Sequence, residues 1–149
     1  MKKTFFKPIA TSVIEPYAVL PESRVVIQSQ KEVFCIFPKA FLPDLEQLYV
    51  SFNDALPIVE AGIMKGENLI PSHALALSFF LSDRLPSVSL SLEESLQYLS
   101  RENMIFPSSL PLGIVRVMYN NLTLGWAKHL GNRVNNYYPQ SSRLRMKWK

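Results

Sequence analysis

Hydrophobic and polar residues follow one another in short runs along the chain, and proline, glycine or asparagine separates these runs. Two β-branched or aromatic runs, 24–27 and 32–37, flank four polar residues and predict a β-hairpin. Residues 113–119 alternate between two faces. The asparagines that follow tolerate positive φ, so a second hairpin should return through 124–128. Eleven prolines against five glycines favour many short elements over a long helical bundle.

Helical patterns in the first half of the chain are brief. Apolar spacing predicts a helix over 44–52, with a proline and an aspartate placed at its start. A second helix is predicted over 72–80, where the hydroxyl of Ser72 can cap the first turn. His73 falls in that first turn, and the sequence assigns it no role.

The clearest local signal for a helix lies in the second half. Ser91 and Glu94 have the spacing of a capping box, in which each side chain satisfies a backbone N–H of the first turn. The helix that follows should bury one apolar face, made by Leu92, Leu96 and Leu99. Glu93 and Glu94 at the start of this helix are explained by the capping and by a solvated helix face, so we do not interpret them as a catalytic pair of carboxylates.

These elements predict an α+β fold in a chain of 149 residues. Residues 1–23 contain three prolines and little periodicity, so we expect an extended lead that lies outside the core. Residues 24–87 should form a small α+β subdomain. Residues 88–149 should form a second unit built on the 113–128 hairpin.

Charge is distributed unevenly along the chain. The net charge is +4, yet Glu102 is the last acidic residue, so residues 103–149 carry seven Lys or Arg and no acid. A merely soluble surface would mix its signs. This asymmetry predicts an anionic polymer as partner.

Several classes of protein are not expected. No apolar run is long enough to span a bilayer and the start lacks a signal peptide, which predicts a cytoplasmic protein without a membrane partner. Cys35 is the only cysteine, so an internal disulfide and a cysteine-based zinc site are excluded. It lies in an apolar run and should be buried. Two histidines without clustered carboxylates give no metal site, and no glycine-rich loop predicts a cofactor.

The most specific stretch is 124–139, where cations, amides and aromatics lie between two glycines. Lys128, His129 and Arg133 are unusually close together for a segment that only fills a core. Cations there can neutralise phosphates, while amides and tyrosines can bond to or stack on unpaired bases. The alternative is a hairpin in which Trp126 and one tyrosine fill the core and the cations are solvated, with Asn135 and Asn136 in a packed corner where both amides are satisfied internally. The acid-free last third favours RNA.

Four segments together, 31–38, 70–77, 91–99 and 124–139, resemble the C-terminal region of bacterial Sun-family (RsmF-like) ribosomal RNA cytosine-5 methyltransferases. The resemblance covers roughly residues 24–145 and is strongest in the last third. It implies that 88–149 is a PUA-like RNA-binding domain, a small mixed β pseudo-barrel with short helices. The family's S-adenosylmethionine-binding half and its catalytic cysteines have no counterpart here. The chain alone is therefore not expected to be an enzyme.

The expected partners are RNA, which the resemblance suggests is ribosomal, and a methyltransferase catalytic domain. The alternative function is a protein-docking domain that braces a catalytic partner, and exposure of Phe5 and Phe6 would favour it. The residues expected to bind RNA are Lys128, Arg133, Asn136, Tyr137, Tyr138, Arg143, Arg145 and Lys147.

Overall fold

The structure, a computed structural model, describes residues 5–52, 56 and 58–146. It divides into two compact units, 1–82 and 83–149. Each unit contains its own β-sheet and short helices, which confirms the mixed α+β class expected from the sequence. The sequence pattern places a domain boundary between residues 87 and 88, and this boundary stays a prediction.

The first unit is built on a five-stranded antiparallel sheet in which each strand pairs with the next along the chain. The predicted first hairpin is confirmed; its first strand is two residues longer than the apolar pattern indicated, and its second is shifted by one residue. The five strands are β1 (Phe6–Ile9), β2 (Arg24–Ser29), β3 (Val33–Pro38), β4 (Val59–Lys65) and β5 (Asn68–Pro71).

The N-terminal lead contributes to the core, so the expectation that it lies outside was wrong. Phe6, Ile14 and Ala18 are buried, and β1 pairs with β2 along its whole length. Pro8 misled the prediction because proline interrupts a central strand, whereas β1 is an edge strand where a missing N–H is tolerated. The carboxylate of Glu46 accepts hydrogen bonds from two backbone N–H groups at the start of this segment.

The described residues of the first unit form two α-helices, α1 (Leu45–Phe52) and α2 (His73–Ala76), and two 3-10 helices, Thr11–Val13 and Lys39–Asp44. The cap at Ser72 is confirmed, since its Oγ accepts from the N–H of Leu75 at 3.3 Å. However, α2 ends after one turn instead of reaching Phe80. The Ser78 hydroxyl donates to the carbonyl oxygen of Leu75 at 2.8 Å, and such local bonds compete with helix continuation.

Phe5 and Phe6 pack on α1. Both rings have their centroids 5.0 Å from that of Tyr49, and Phe6 is only 8% exposed. Phe5 and Phe6 therefore do not supply the exposed apolar surface that would favour a protein-docking function, whereas Val19 in the same N-terminal segment is 68% exposed. One cluster of buried residues in this unit consists of Phe6, Ile27, Cys35, Phe37, Leu45 and Leu56.

The second unit is built on a four-stranded sheet in which the first strand runs parallel to the second and the others are antiparallel. The predicted second hairpin is confirmed. Its turn residues Asn120 and Asn121 have φ of 48° and 63°, as the asparagine pair indicated. The strands are β6 (Ser87–Ser89), β7 (Gly113–Tyr119), β8 (Leu122–His129) and β9 (Val134–Asn136). The sequence pattern did not predict β9, because three residues are too few to show alternation.

Helix α3 (Leu92–Leu99) begins with the capping box that the sequence predicted. Its buried face differs from the prediction: Ser95 and Tyr98 are buried, whereas Leu92 is 59% exposed. Burial of the two polar side chains is possible because both hydroxyls have partners. The hydroxyl of Ser95 donates to the carbonyl of Ser91 at 2.7 Å, and that of Tyr98 donates to the carbonyl of Trp126 at 2.8 Å.

One face of the second sheet carries a cluster of core residues, and Trp126, which pairs with Arg116, is buried on the other face. The alternation predicted for β7 is confirmed, since Val115 and Val117 are fully buried on the face of the cluster while Arg116 lies on the other. The core cluster consists of Leu90, Tyr98, Phe106, Val115, Val117 and Ala127.

Candidate nucleic-acid interface

Strand alternation divides the asparagines and tyrosines of 135–138 between two faces of the second sheet. Asn136 pairs with Ala127, and Asn135 pairs with Lys128. Directly paired residues of antiparallel strands share a face. Since Ala127 is part of the core cluster, Asn136 lies on the core face and Asn135 lies with Lys128 on the opposite face.

The side chain of Asn136 is held by two hydrogen bonds within the unit. Its Nδ2 donates to the carbonyl oxygen of Tyr98 at 2.8 Å, and its Oδ1 accepts from the N–H of Tyr138 at 2.8 Å. The two partners fix the orientation of the amide, because only the nitrogen can donate to a carbonyl. The alternative to RNA contact, a packed corner in which the amide is satisfied internally, therefore applies to Asn136.

Tyr138 also contacts helix α3. Its ring centroid lies 5.6 Å from that of Tyr98, and its carbonyl oxygen accepts a hydrogen bond from the Arg101 guanidinium. Burial raises the pKa of the Tyr98 phenol, the Tyr138 phenol raises it further, and the charge of Arg101 lowers it. RNA contact by Asn136 or Tyr138 stays a prediction, while their intramolecular contacts are clear.

The other candidate residues of the stretch 124–139 lie in or next to the β8–β9 hairpin. Arg133 and Asn135 are exposed, and Lys128 and Tyr137 are partly buried. The ladder continues past β9, since the N–H of Tyr137 donates to the carbonyl of Trp126 at 3.1 Å. We call the set Lys128, Arg133, Asn135 and Tyr137 the hairpin patch. Asn135 is not among the residues that the sequence predicted to bind RNA. Its pairing with Lys128 depends on strand β9, which the sequence pattern did not reveal.

The two C-terminal arginines follow a different element. Arg143 and Arg145 are exposed, and the residue between them is anchored because the N–H of Leu144 donates to the carbonyl of Leu99 at 2.9 Å. This places both cations close to the C-terminal end of α3, where positive charge is favoured by the helix dipole. Lys147 lies outside the described residues.

His129 is a buried core residue, although the sequence pattern grouped it with Lys128 and Arg133 as a possible binding residue. It is 1% exposed, and its Nδ1 lies 3.1 Å from the carbonyl oxygen of Leu110 and 3.3 Å from that of Pro111. Both neighbours are acceptors, so Nδ1 carries the hydrogen. Trp126, which is also 1% exposed, is buried as expected.

His73, the other histidine, is partly buried at the first position of α2, and burial lowers its pKa. Within residues 5–52, 56 and 58–146, no three side chains of His, Cys, Asp or Glu come together in a way that could hold a metal ion. Over the same residues, no helix has both the length and the apolar character needed to cross a membrane.

The second unit is a small domain of mixed β-sheet and short helix whose β8–β9 hairpin carries Lys128 and Arg133. Residues 85–144 match the family model described as the methyltransferase RsmF PUA domain. The match spans the second unit apart from its first two and last five residues. That unit is therefore a PUA-like domain of the kind found in RsmF-like methyltransferases. The resemblance inferred for residues 24–84 stays a prediction, and a search of the curated proteins gave no match.

Proposed function

We propose that the second unit is a non-catalytic RNA-binding module of an rRNA cytosine-5 methyltransferase. The observation that carries this proposal is the family match over 85–144, the PUA domain of an RNA-modifying enzyme. A catalytic domain that binds S-adenosylmethionine would supply the chemistry. Structured ribosomal RNA would be the ligand.

The side chains of the hairpin patch are of the types that contact the phosphates and the bases of RNA. Lys128 and Arg133 neutralise phosphates, which supplies most of the affinity and none of the sequence specificity. Tyr137 offers a ring face for an unpaired base, and Asn135 offers both a donor and an acceptor. No acidic residue follows Glu102, so no carboxylate from this part of the chain offsets the two cations.

Asn136 and Tyr138 have a supporting role in this proposal. Their contacts with Tyr98 and Arg101 tie the end of β9 to α3, and strand alternation then presents their neighbours Asn135 and Tyr137 on the opposite face. Arg143 and Arg145 would add electrostatic attraction from a second position.

The test is a filter-binding titration of the full chain with a structured rRNA fragment at several salt concentrations. The double variant Lys128→Gln/Arg133→Gln should bind more weakly, and the negative slope of log K against log salt should become smaller in magnitude by roughly 1.4 to 2, since two phosphate contacts are lost. The matched control is Lys31→Gln/Lys39→Gln, which removes two exposed cations of the first unit. It should bind as the unchanged protein does. Absence of RNA binding, or equal slopes for the two double variants, would overturn the proposal.

A further inference from the structure

The turn between β8 and β9 leaves consecutive backbone donors free. The N–H of Leu130 donates to the carbonyl of Arg133 at 2.9 Å. In the part of the chain that the structure describes, the N–H groups of Gly131, Asn132 and Arg133 have no protein acceptor. We propose that this turn binds one backbone phosphate of RNA through these three N–H groups, with Lys128 and the Arg133 side chain supplying the charge. The inference rests on the proposed function.

Gly131 is the residue that gives the turn its shape. Its φ is +88°, a left-handed conformation that L side chains rarely adopt. Successive N–H groups around such a residue point into one concavity, and concavities of this type bind anions. Gly131, Asn132 and Arg133 are all exposed, so a phosphate oxygen can reach their N–H groups without a change of fold.

The charges beside the turn favour an anion of this type. Arg133 lies within the turn. Lys128 is the second-to-last residue of β8 and pairs with Asn135. A phosphodiester carries a single negative charge on two oxygens that accept hydrogen bonds. Charge-assisted bonds from backbone N–H groups are about twice as strong as neutral ones. The turn therefore offers both the donors and the positive potential that one phosphate needs.

The β7–β8 turn provides an internal control. Asn120 and Asn121 also form an exposed hairpin turn with left-handed backbone. The residues on either side of them, Tyr119 and Leu122, carry no positive charge. If exposed N–H groups alone were enough to bind a phosphate, both turns would respond to RNA. The proposal requires that only the β8–β9 turn does.

The experiment is an amide NMR titration of the full chain with a short RNA hairpin. The N–H resonances of Gly131, Asn132 and Arg133 should show downfield proton shifts that saturate with RNA, and those of Asn120 and Asn121 should not move. The same hairpin with methylphosphonate linkages, which are uncharged, should not produce these shifts. If RNA binds and the shifts fall elsewhere, the turn is not the phosphate site and the proposed function stands. If RNA does not bind, both fail.

A backbone variant supplies a second, independent measurement. Gly131→Ala leaves the side chains of Lys128 and Arg133 in place but is strained at φ +88°, so the turn should rearrange and RNA affinity should fall about tenfold. The matched control is Gly66→Ala, at φ +64° in the exposed β4–β5 turn of the other unit, where Lys65 and Glu67 cancel in charge. It should leave RNA affinity unchanged. Equal affinity of the two variants would overturn the inference.

Discussion

The side-chain nitrogen of Asn136 lies 2.8 Å from the carbonyl oxygen of Tyr98, so a residue of the edge strand β9 closes over the last turn of α3. The carbonyl of Tyr98 is near the C-terminal end of the helix, where it also accepts from the N–H of Arg101 at 3.0 Å. Asn136 supplies a further hydrogen bond to this carbonyl oxygen from another element. The same side chain fixes the N–H of Tyr138 and so sets the path of the chain beyond β9.

We predict that Asn136→Ala lowers the free energy of unfolding by about 1–2 kcal/mol, because the N–H of Tyr138 loses its acceptor and the carbonyl of Tyr98 loses the donor that comes from β9. Asn135→Ala, one residue away and exposed, should change it by no more than about 0.5 kcal/mol. Urea denaturation followed by circular dichroism measures both. A stable Asn136→Ala variant would show that the amide does not hold β9 to α3.

The phenol of Tyr98 makes a second link between the helix and the sheet. Its hydroxyl donates to the carbonyl of Trp126 at 2.8 Å in the interior. Tyr98→Phe keeps the ring and removes this bond, so we predict a loss of about 1–2 kcal/mol in the free energy of unfolding.

The double variant Tyr98→Phe/Asn136→Ala tests whether the two links act together. Both join α3 to the neighbouring strands β8 and β9, so the double variant should lose less stability than the sum of the single variants, by about 0.5 kcal/mol or more. Denaturation of all four proteins closes the cycle. Strict additivity would mean that the helix is held at two independent points.

Local signals in the sequence were sufficient for the elements whose ends are marked by side chains. The capping box at Ser91 and Glu94 and the asparagine pair of the second hairpin both appear in the structure as expected. Each depends on bonds or backbone angles within a few residues. Such features can be predicted without knowledge of the rest of the fold.

Features that depend on distant partners were not predictable. The burial of Ser95 and Tyr98 in place of Leu92 depends on hydroxyl acceptors, and for Tyr98 the acceptor is on another element. Likewise, the separation of Asn135 from Asn136 requires the pairing of β9 with β8. The sequence identified the candidate residues of the site. Their assignment to one or the other face of the second sheet required the pairing of β8 with β9.

Gly62 is predicted to be intolerant of any side chain. A Cβ built there would clash with the carbonyl oxygen of Ile70 and lie 3.1 Å from the carbonyl carbon of Ile70 and from Cδ1 of Leu69, so β4 and β5 could no longer approach. We expect Gly62→Ala to cost about 3 kcal/mol or more in the free energy of unfolding. The control Gly66→Ala meets no atom within 4 Å and should cost about 1 kcal/mol from backbone strain alone. Thermal unfolding of both variants is the measurement, and equal losses would contradict the steric argument.

Cys35 makes the stability of the first unit depend on alkaline pH. Burial raises the pKa of its thiol from 9.0 to about 11, and the charge of Glu60 adds a smaller increase. The unfolded chain therefore loses the thiol proton first as pH rises. The contribution to stability is fully present below pH 9.0 and should be lost between about pH 9 and 11, by about 1–2 kcal/mol.

Cys35→Ala provides the comparison that isolates this effect. The variant leaves a small cavity and should be less stable at every pH, so the difference in slope, not in absolute stability, carries the information. Tyr98 also has a raised pKa, but it is present in both proteins and its effect cancels in the difference. Urea denaturation from pH 7 to 11 should show the two stabilities converging above pH 9. Parallel curves would mean that Cys35 reaches solvent in the folded chain, and a thiol reagent at neutral pH would then modify it quickly instead of slowly.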